Sequence, residues 1–130
     1  MSSEPSVRPG TGVARSESPT FVDTDAVLLG MQTVVGRKWH PVIVSHLLEE
    51  ALGFSDLKGR IDGISSKVLS ESLADLEDAG LVCRDLLSDQ PVRVEYSLTD
   101  RGAAMEPLVA EMVAWGSEHL PAARREPEGR

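Results

Sequence analysis

A mainly α-helical chain with one small β-hairpin is the fold class this sequence predicts, and three observations within residues 54–98 predict it. Leu69, Leu73 and Leu76 recur at i, i+4 and i+7, the spacing of a helix with one buried stripe. Just ahead of them, Asp62 and Gly63 tolerate the backbone angles of a sharp reversal between two helices. Val92, Val94, Tyr96 and Leu98 alternate with Arg93, Glu95 and Ser97, the period of a strand with one buried and one wet face. A short helix over 55–60, a Gly-containing turn, a helix over 65–79 and a hairpin therefore follow one another. That is the order of a winged helix-turn-helix, whose second helix enters a DNA groove.

Residues 1–20 are rich in Ser, Pro, Gly and scattered charge, without periodicity, and are expected to form a disordered tail. The folded domain is expected over 21–120, with a second disordered tail, charged and short, over 121–130. Asp23 or Thr24 caps a first helix in which Val27, Leu28, Met31 and Val34 or Val35 form an apolar side, and Gly36 closes it. So apolar a helix packs on its own domain or on a second copy. A helix over 38–50 follows, with Pro41 in the first turn, where a missing N–H is not needed. Trp39, Val42, Ile43, Leu47 and Leu48 make it the central core helix. His40 and His46 are six apart, off one helical face, with no Cys or carboxylate pattern to complete a ligand set. They read as partly exposed polar residues, and no metal or cofactor is expected.

At the helix over 65–79, Ser65 or Ser66 can accept from the free N–H groups of the first turn. Lys67, Ser70, Glu71, Ala74 and Asp78 fall opposite the leucines. Asp75, Glu77 and Asp78 crowd the helix end, against the macrodipole, so they do not serve helix stability. Lys67 near the start suits a helix whose opening turn alone approaches phosphates. A solvated face of a helical hairpin is the alternative, and the helix alone does not separate the two.

The hairpin's other strand is expected over 81–87, with 88–91 as the turn. Arg93 then lies on the wet face near the turn, placed to offer a cation to phosphate or to the minor groove. A solvated Arg paired with Glu95 is the bland reading; the combination of turn, helix and hairpin favours DNA. Thr99 caps the last helical region, and Pro107 predicts a kink or a break near Glu106. Met105, Leu108, Met112 and Trp115 recur at three- and four-residue steps. This seam packs on the core or on a second copy. The second is favoured, because the other elements already suffice to bury the central helix and Met and Trp are common at interfaces.

Composition sets bounds. The 130 residues hold 13 Lys and Arg against 21 Asp and Glu, a formal charge of −8. Phosphate neutralisation normally supplies much of a DNA binder's affinity, yet even residues 54–98 carry five basic residues against nine acidic ones. With three lysines against ten arginines, the surface suits a salt-adapted cytoplasm. At molar salt the Debye length falls to about 3 Å and net repulsion is screened. Cys83 is the only cysteine, so no intrachain disulfide forms; it is expected as a small buried hydrophobe, a redox thiol being the alternative. No apolar run is long enough for a membrane span and no signal-peptide core is seen, so the cytoplasm is expected.

Five motifs, Gly36-Arg37-Lys38-Trp39, Phe54-Ser55-Asp56-Leu57, Gly63-Ile64-Ser65-Ser66-Lys67-Val68-Leu69, Ala79-Gly80-Leu81-Val82 and Val92-Arg93-Val94-Glu95-Tyr96-Ser97-Leu98-Thr99, stand in order. In register and spacing they resemble the signature of HxlR-type winged helix-turn-helix transcriptional regulators of the MarR-like superfamily, over about 25–115. The resemblance implies a homodimeric DNA-binding regulator whose outer helices form the dimer interface. It also marks departures. The redox-sensing Cys that members often carry early in the first helix corresponds here to Ala26, and recognition positions commonly held by Gln and Arg correspond to Glu71, Ser72 and Ala74.

The expected function is sequence-specific regulation of transcription. Ser65, Ser66, Lys67 and Ser70 meet phosphates and base edges, and Glu71 accepts from a cytosine amino group. Lys58 holds the preceding helix to the backbone and Arg93 anchors the wing. Val27, Leu28, Met31, Leu108, Met112 and Trp115 are the candidate dimer interface. Double-stranded DNA and a second copy are the expected partners; no effector is readable. The competing reading is an acidic winged-helix module docking on transcription factors without touching DNA. Enzyme chemistry has no nucleophile–base pair, phosphate-cradling loop or paired carboxylates to stand on.

Overall fold

A computed structural model describes residues 21–121; the two tail expectations lie essentially outside them. Contacts divide the chain into two units, 1–30 and 31–130, each described by itself.

In the first unit, α1 (Thr24–Gly30) starts on Asp23, whose Oδ1 accepts from the Ala26 N–H at 3.2 Å. None of its side chains is buried. The first helix was expected to run on to Val34 or Val35; instead it stops at Gly30, a poor helix residue, and a 3₁₀ turn (Met31–Thr33) takes over. Gly36 does close that turn. Its N–H donates to the Gln32 carbonyl at 3.2 Å, and a Cβ there would lie 2.7 Å from the same oxygen.

The second unit is built on α2 (His40–Glu49), with Pro41 in its first turn. Ile43, Val44 and Leu47 are buried, and Trp39, Val42 and Leu48 pack half-buried around them. Then come α3 (Phe54–Arg60), which buries Leu57, and α4 (Ser66–Asp78), which buries Leu69, Leu73 and Leu76. The reversal between them places Gly63 at φ +85°, a left-handed conformation open to Gly, and sinks Ile61 and Ile64 into the core. Ser65, not Ser66, is the N-cap: its hydroxyl accepts from the Val68 N–H at 3.1 Å.

The antiparallel hairpin β1 (Val82–Asp89) and β2 (Val92–Leu98) pairs Val82 with Leu98 and Leu86 with Val94, then shifts register at a bulge between Leu86 and Ser88. The first strand therefore runs two residues beyond the expected 81–87, leaving only Gln90 and Pro91 in the turn. Near the body Tyr96 is buried; Val92, at the far end, is 70 % exposed because the hairpin outruns the core. Cys83, expected to be buried, is exposed: it pairs with Ser97, and strand alternation turns it away from the buried Val82. A bridge that the sequence did not suggest adds Leu52 to the sheet, through Leu52 and Tyr96 N–H···O bonds of 3.0 and 2.8 Å.

Thr99 closes the wing onto the body. Its hydroxyl donates to the Gly80 carbonyl at 2.6 Å and accepts from the Gly102 N–H at 3.0 Å, capping α5 (Asp100–Ala103). The chain breaks at Ala104-Met105 and restarts as α6 (Glu106–His119), with Pro107 in its first turn. Met105, expected in the outer seam, is in the core with Val109, because the break rotates it inward. Leu108, Met112 and Trp115 stay exposed.

Candidate nucleic-acid interface

The exposed side of α4 is the side opposite its leucines. Ser66, Lys67, Ser70, Glu71, Ala74 and Asp78 are all solvent-facing, as is the capping Ser65; Ser72, by contrast, is buried. At the opening turn the Ser65 hydroxyl satisfies the Val68 N–H, and Ser65, Ser66 and Lys67 are themselves exposed. The charge here is balanced rather than basic. Lys67 Nζ lies 3.5 Å from Glu71 Oε2, one turn on. As an exposed pair this contributes only about 0.3–0.5 kcal/mol to the helix, so either group is cheaply released to another partner.

Arg93 is exposed on β2 opposite Ser88, and it edges an open groove with Gly53, Phe54, Ser55 and Asp56 of the α3 start. The wing and the start of α3 therefore face each other across this groove. Across the wing, Asp85 pairs directly with Glu95, two like charges face to face, which weakens the hairpin and adds to the acidity. Lys58 is half-buried on α3, while Arg60 is held by Glu50 at 2.9 Å. Thus α4 brings Ser65, Ser66, Lys67, Ser70 and Glu71 onto one helix face, whereas Lys58 and Arg93 sit on separate elements.

Sequence reasoning missed one cluster. Asp75 was read as one of the acids crowding the end of α4, yet its Oδ2 lies 3.8 Å from an Arg37 guanidinium nitrogen and 3.7 Å from His40 Nε2. His40, expected to be partly exposed, is only 3 % exposed, because the first turn of α2 tucks it against α4. Lys67, Glu71 and Asp75 stand at four-residue steps along α4, but the partners of Asp75 lie some 35 residues upstream. Burial pulls the His40 pKa below its ordinary 6.5; Asp75 opposes this, Arg37 reinforces it, and the Thr33 backbone opposes it. The sign follows. Below pH 6.5 the unfolded chain takes up a proton that the folded chain still resists, so stability is expected to fall as pH drops from there toward the lowered value. His40→Gln should flatten that limb in thermal melts at pH 5–7; an unchanged limb would exclude His40 as its source.

A capped, outward-facing helix after a glycine turn, flanked by a two-stranded wing, defines a winged helix-turn-helix regulator of transcription. The chain belongs to the HxlR-like helix-turn-helix family, whose model matches residues 34–124. It is 40 % identical over 87 residues to the HTH-type transcriptional regulator YvaP of Bacillus subtilis (strain 168), covering 67 % of this chain and 81 % of that one. The reduced form of the transcriptional regulator YodB from B. subtilis superposes with a TM-score of 0.64 at 28 % identity, over 81 % of this chain and 100 % of the other. A MarR-family transcriptional regulator from Enterococcus faecalis V583 gives 0.68 at 29 % identity, over 79 % and 93 %. These are families of DNA-binding regulators, not enzymes, and they do not favour an acidic docking module. No helix among the described residues is long and apolar enough to cross a membrane.

Proposed function

We propose that the chain is a cytoplasmic, sequence-specific regulator that binds DNA as a homodimer, placing two α4 helices in successive major grooves. The observation that carries this reading is the pairing of a buried leucine stripe with an exposed, Ser-capped opening turn on α4. Ser65, Ser66, Lys67 and Ser70 address phosphates and base edges, Glu71 a cytosine amino group, and Lys58 the backbone beside α3. Dimerisation is supported by apolar side chains left in water. Trp115 is 60 % and Met112 39 % exposed on α6, with Leu108 beside them; on α1, Val27 and Leu28 are exposed, and Met31 after it is half-buried. Singly such residues mean little, but a row of them on one helix fits an isologous contact.

Footprinting on genomic DNA at several KCl concentrations tests this. Two protected half-sites a multiple of about 10 base pairs apart are expected; protection of one half-site, or of none, would overturn the dimeric reading. Arg93→Ala should weaken binding to every sequence and lower the salt slope by about one unit. An unchanged slope would remove Arg93 from the interface. The acid-rich, Lys-poor composition supports a salt-adapted host, for which molar KCl should raise the unfolding midpoint. Equal stability in dilute buffer would refute it.

A further inference from the structure

Most acids near a DNA-facing helix only repel phosphate. Asp78, exposed on the last turn of α4, is of that kind. Asp75 differs in geometry: it stands on the same stripe as Lys67 and Glu71, two turns and one turn further on, and reaches the start of α2 through both Arg37 and the buried His40. We propose that Asp75 is a positioning residue, which fixes how α4 is presented to DNA by joining it to Arg37 and His40 at the entry to α2. The inference rests on the regulator reading above.

Three features carry it. The leucine stripe of α4 packs into the shared core and sets which side of the helix faces inward, but apolar contacts fix small rotations and slides of α4 less closely than polar ones do. The Asp75 carboxylate, 3.8 Å from Arg37 and 3.7 Å from His40 Nε2, adds a polar contact at one point along α4, and one of its two partners is held in place by burial. The second partner, Arg37, is exposed, so the same link holds a cation along the flank of α4. The groups facing His40 are Asp75 from α4, Arg37 from the segment before α2 and the Thr33 backbone from the 3₁₀ turn. Neutral His40 leaves Asp75 shared with Arg37; a charged imidazolium would draw the carboxylate toward itself and loosen Arg37.

The two roles predict opposite signs. Deleting a merely repulsive acid tightens DNA binding, whereas deleting a positioning acid loosens binding to the preferred sequence. The test uses the full chain and a duplex enriched by the wild type from a random-sequence library, with a scrambled duplex beside it, both followed by fluorescence anisotropy. Asp75→Asn is expected to weaken the enriched duplex at least fivefold without weakening the scrambled one, and Asp75→Glu to recover part of the loss. Asp78→Asn, which removes the same charge, should bind as tightly as the wild type or tighter. Asp75→Asn behaving like Asp78→Asn would overturn the proposal. Should Asp75→Asn melt near the assay temperature, His40→Gln, neutral at pH 7.5, gives the same reading: a loss of selectivity is expected, and wild-type affinity for both duplexes would overturn it. Failure of the wild type to enrich any duplex would instead strike the regulator reading itself, and this one with it.

Discussion

Leu69→Ala is expected to remove a large part of this protein's margin of stability. Leu69 is 0 % exposed at the centre of the α4 stripe. Truncating a buried leucine removes its transfer energy and leaves a cavity that its neighbours fill incompletely, about 2–5 kcal/mol in all. Against a typical total of about 5–15 kcal/mol, that is a large fraction. The melting midpoint should fall by on the order of 10 °C or more. DNA binding should fail with the fold, because the stripe is what turns the Ser65 end outward. Ser70→Ala, one residue along on the exposed side, should stay within about 0.5 kcal/mol of wild type. Equal midpoints for the two variants would show that the stripe is not the anchor of α4.

The second large effect is expected at Gly102. A Cβ built there meets the Leu81 carbonyl oxygen at 2.1 Å and Leu98 Cδ2 at 3.1 Å. That oxygen cannot simply retreat: it accepts from the Thr99 N–H at 3.0 Å, and Thr99 in turn caps α5 and donates to Gly80. Gly102→Ala therefore sets α5 against the base of the wing, at about 1–3 kcal/mol, the usual range for overpacking, or more. Chemical denaturation should show a lowered midpoint. Gly59→Ala supplies the contrast, since it lies in α3 with nothing within 4 Å of a new Cβ; there the change should be neutral or stabilising by about 0.5–1 kcal/mol. A Gly102→Ala midpoint matching that of Gly59→Ala would mean that α5 slides freely over Leu81.

Period and punctuation made much of the frame legible. Leu69, Leu73 and Leu76 state a helix face, Gly63 a reversal, Thr99 a cap and Pro107 a break, each a local rule that neighbours along the chain suffice to enforce. Where a residue's fate depended on the end of an element, local rules misled. The periodicity that carried the first helix to Val35 had no term for Gly30 ending it, and the hairpin's reach past the core, which exposes Val92, is invisible in a pattern of alternation. The candidate interface was half legible. The outward face of α4 followed from its inward one, but the Asp75 partners did not, because Arg37 and His40 come from a distant stretch of the chain, the segment before α2 and its first turn.

By itself the sequence determined the order of helices, turn and wing, the inward leucines and the acidity of the surface, all of which follow from spacing and composition. Only the tertiary structure decided that Ser65 rather than Ser66 is the cap, that Met105 turns inward, that Cys83 faces water, and that His40 is sealed against an α4 carboxylate. The physical reason is range. A helical or strand repeat is set within a few residues, whereas burial and ion pairing are set by whichever distant segment the folded chain brings alongside.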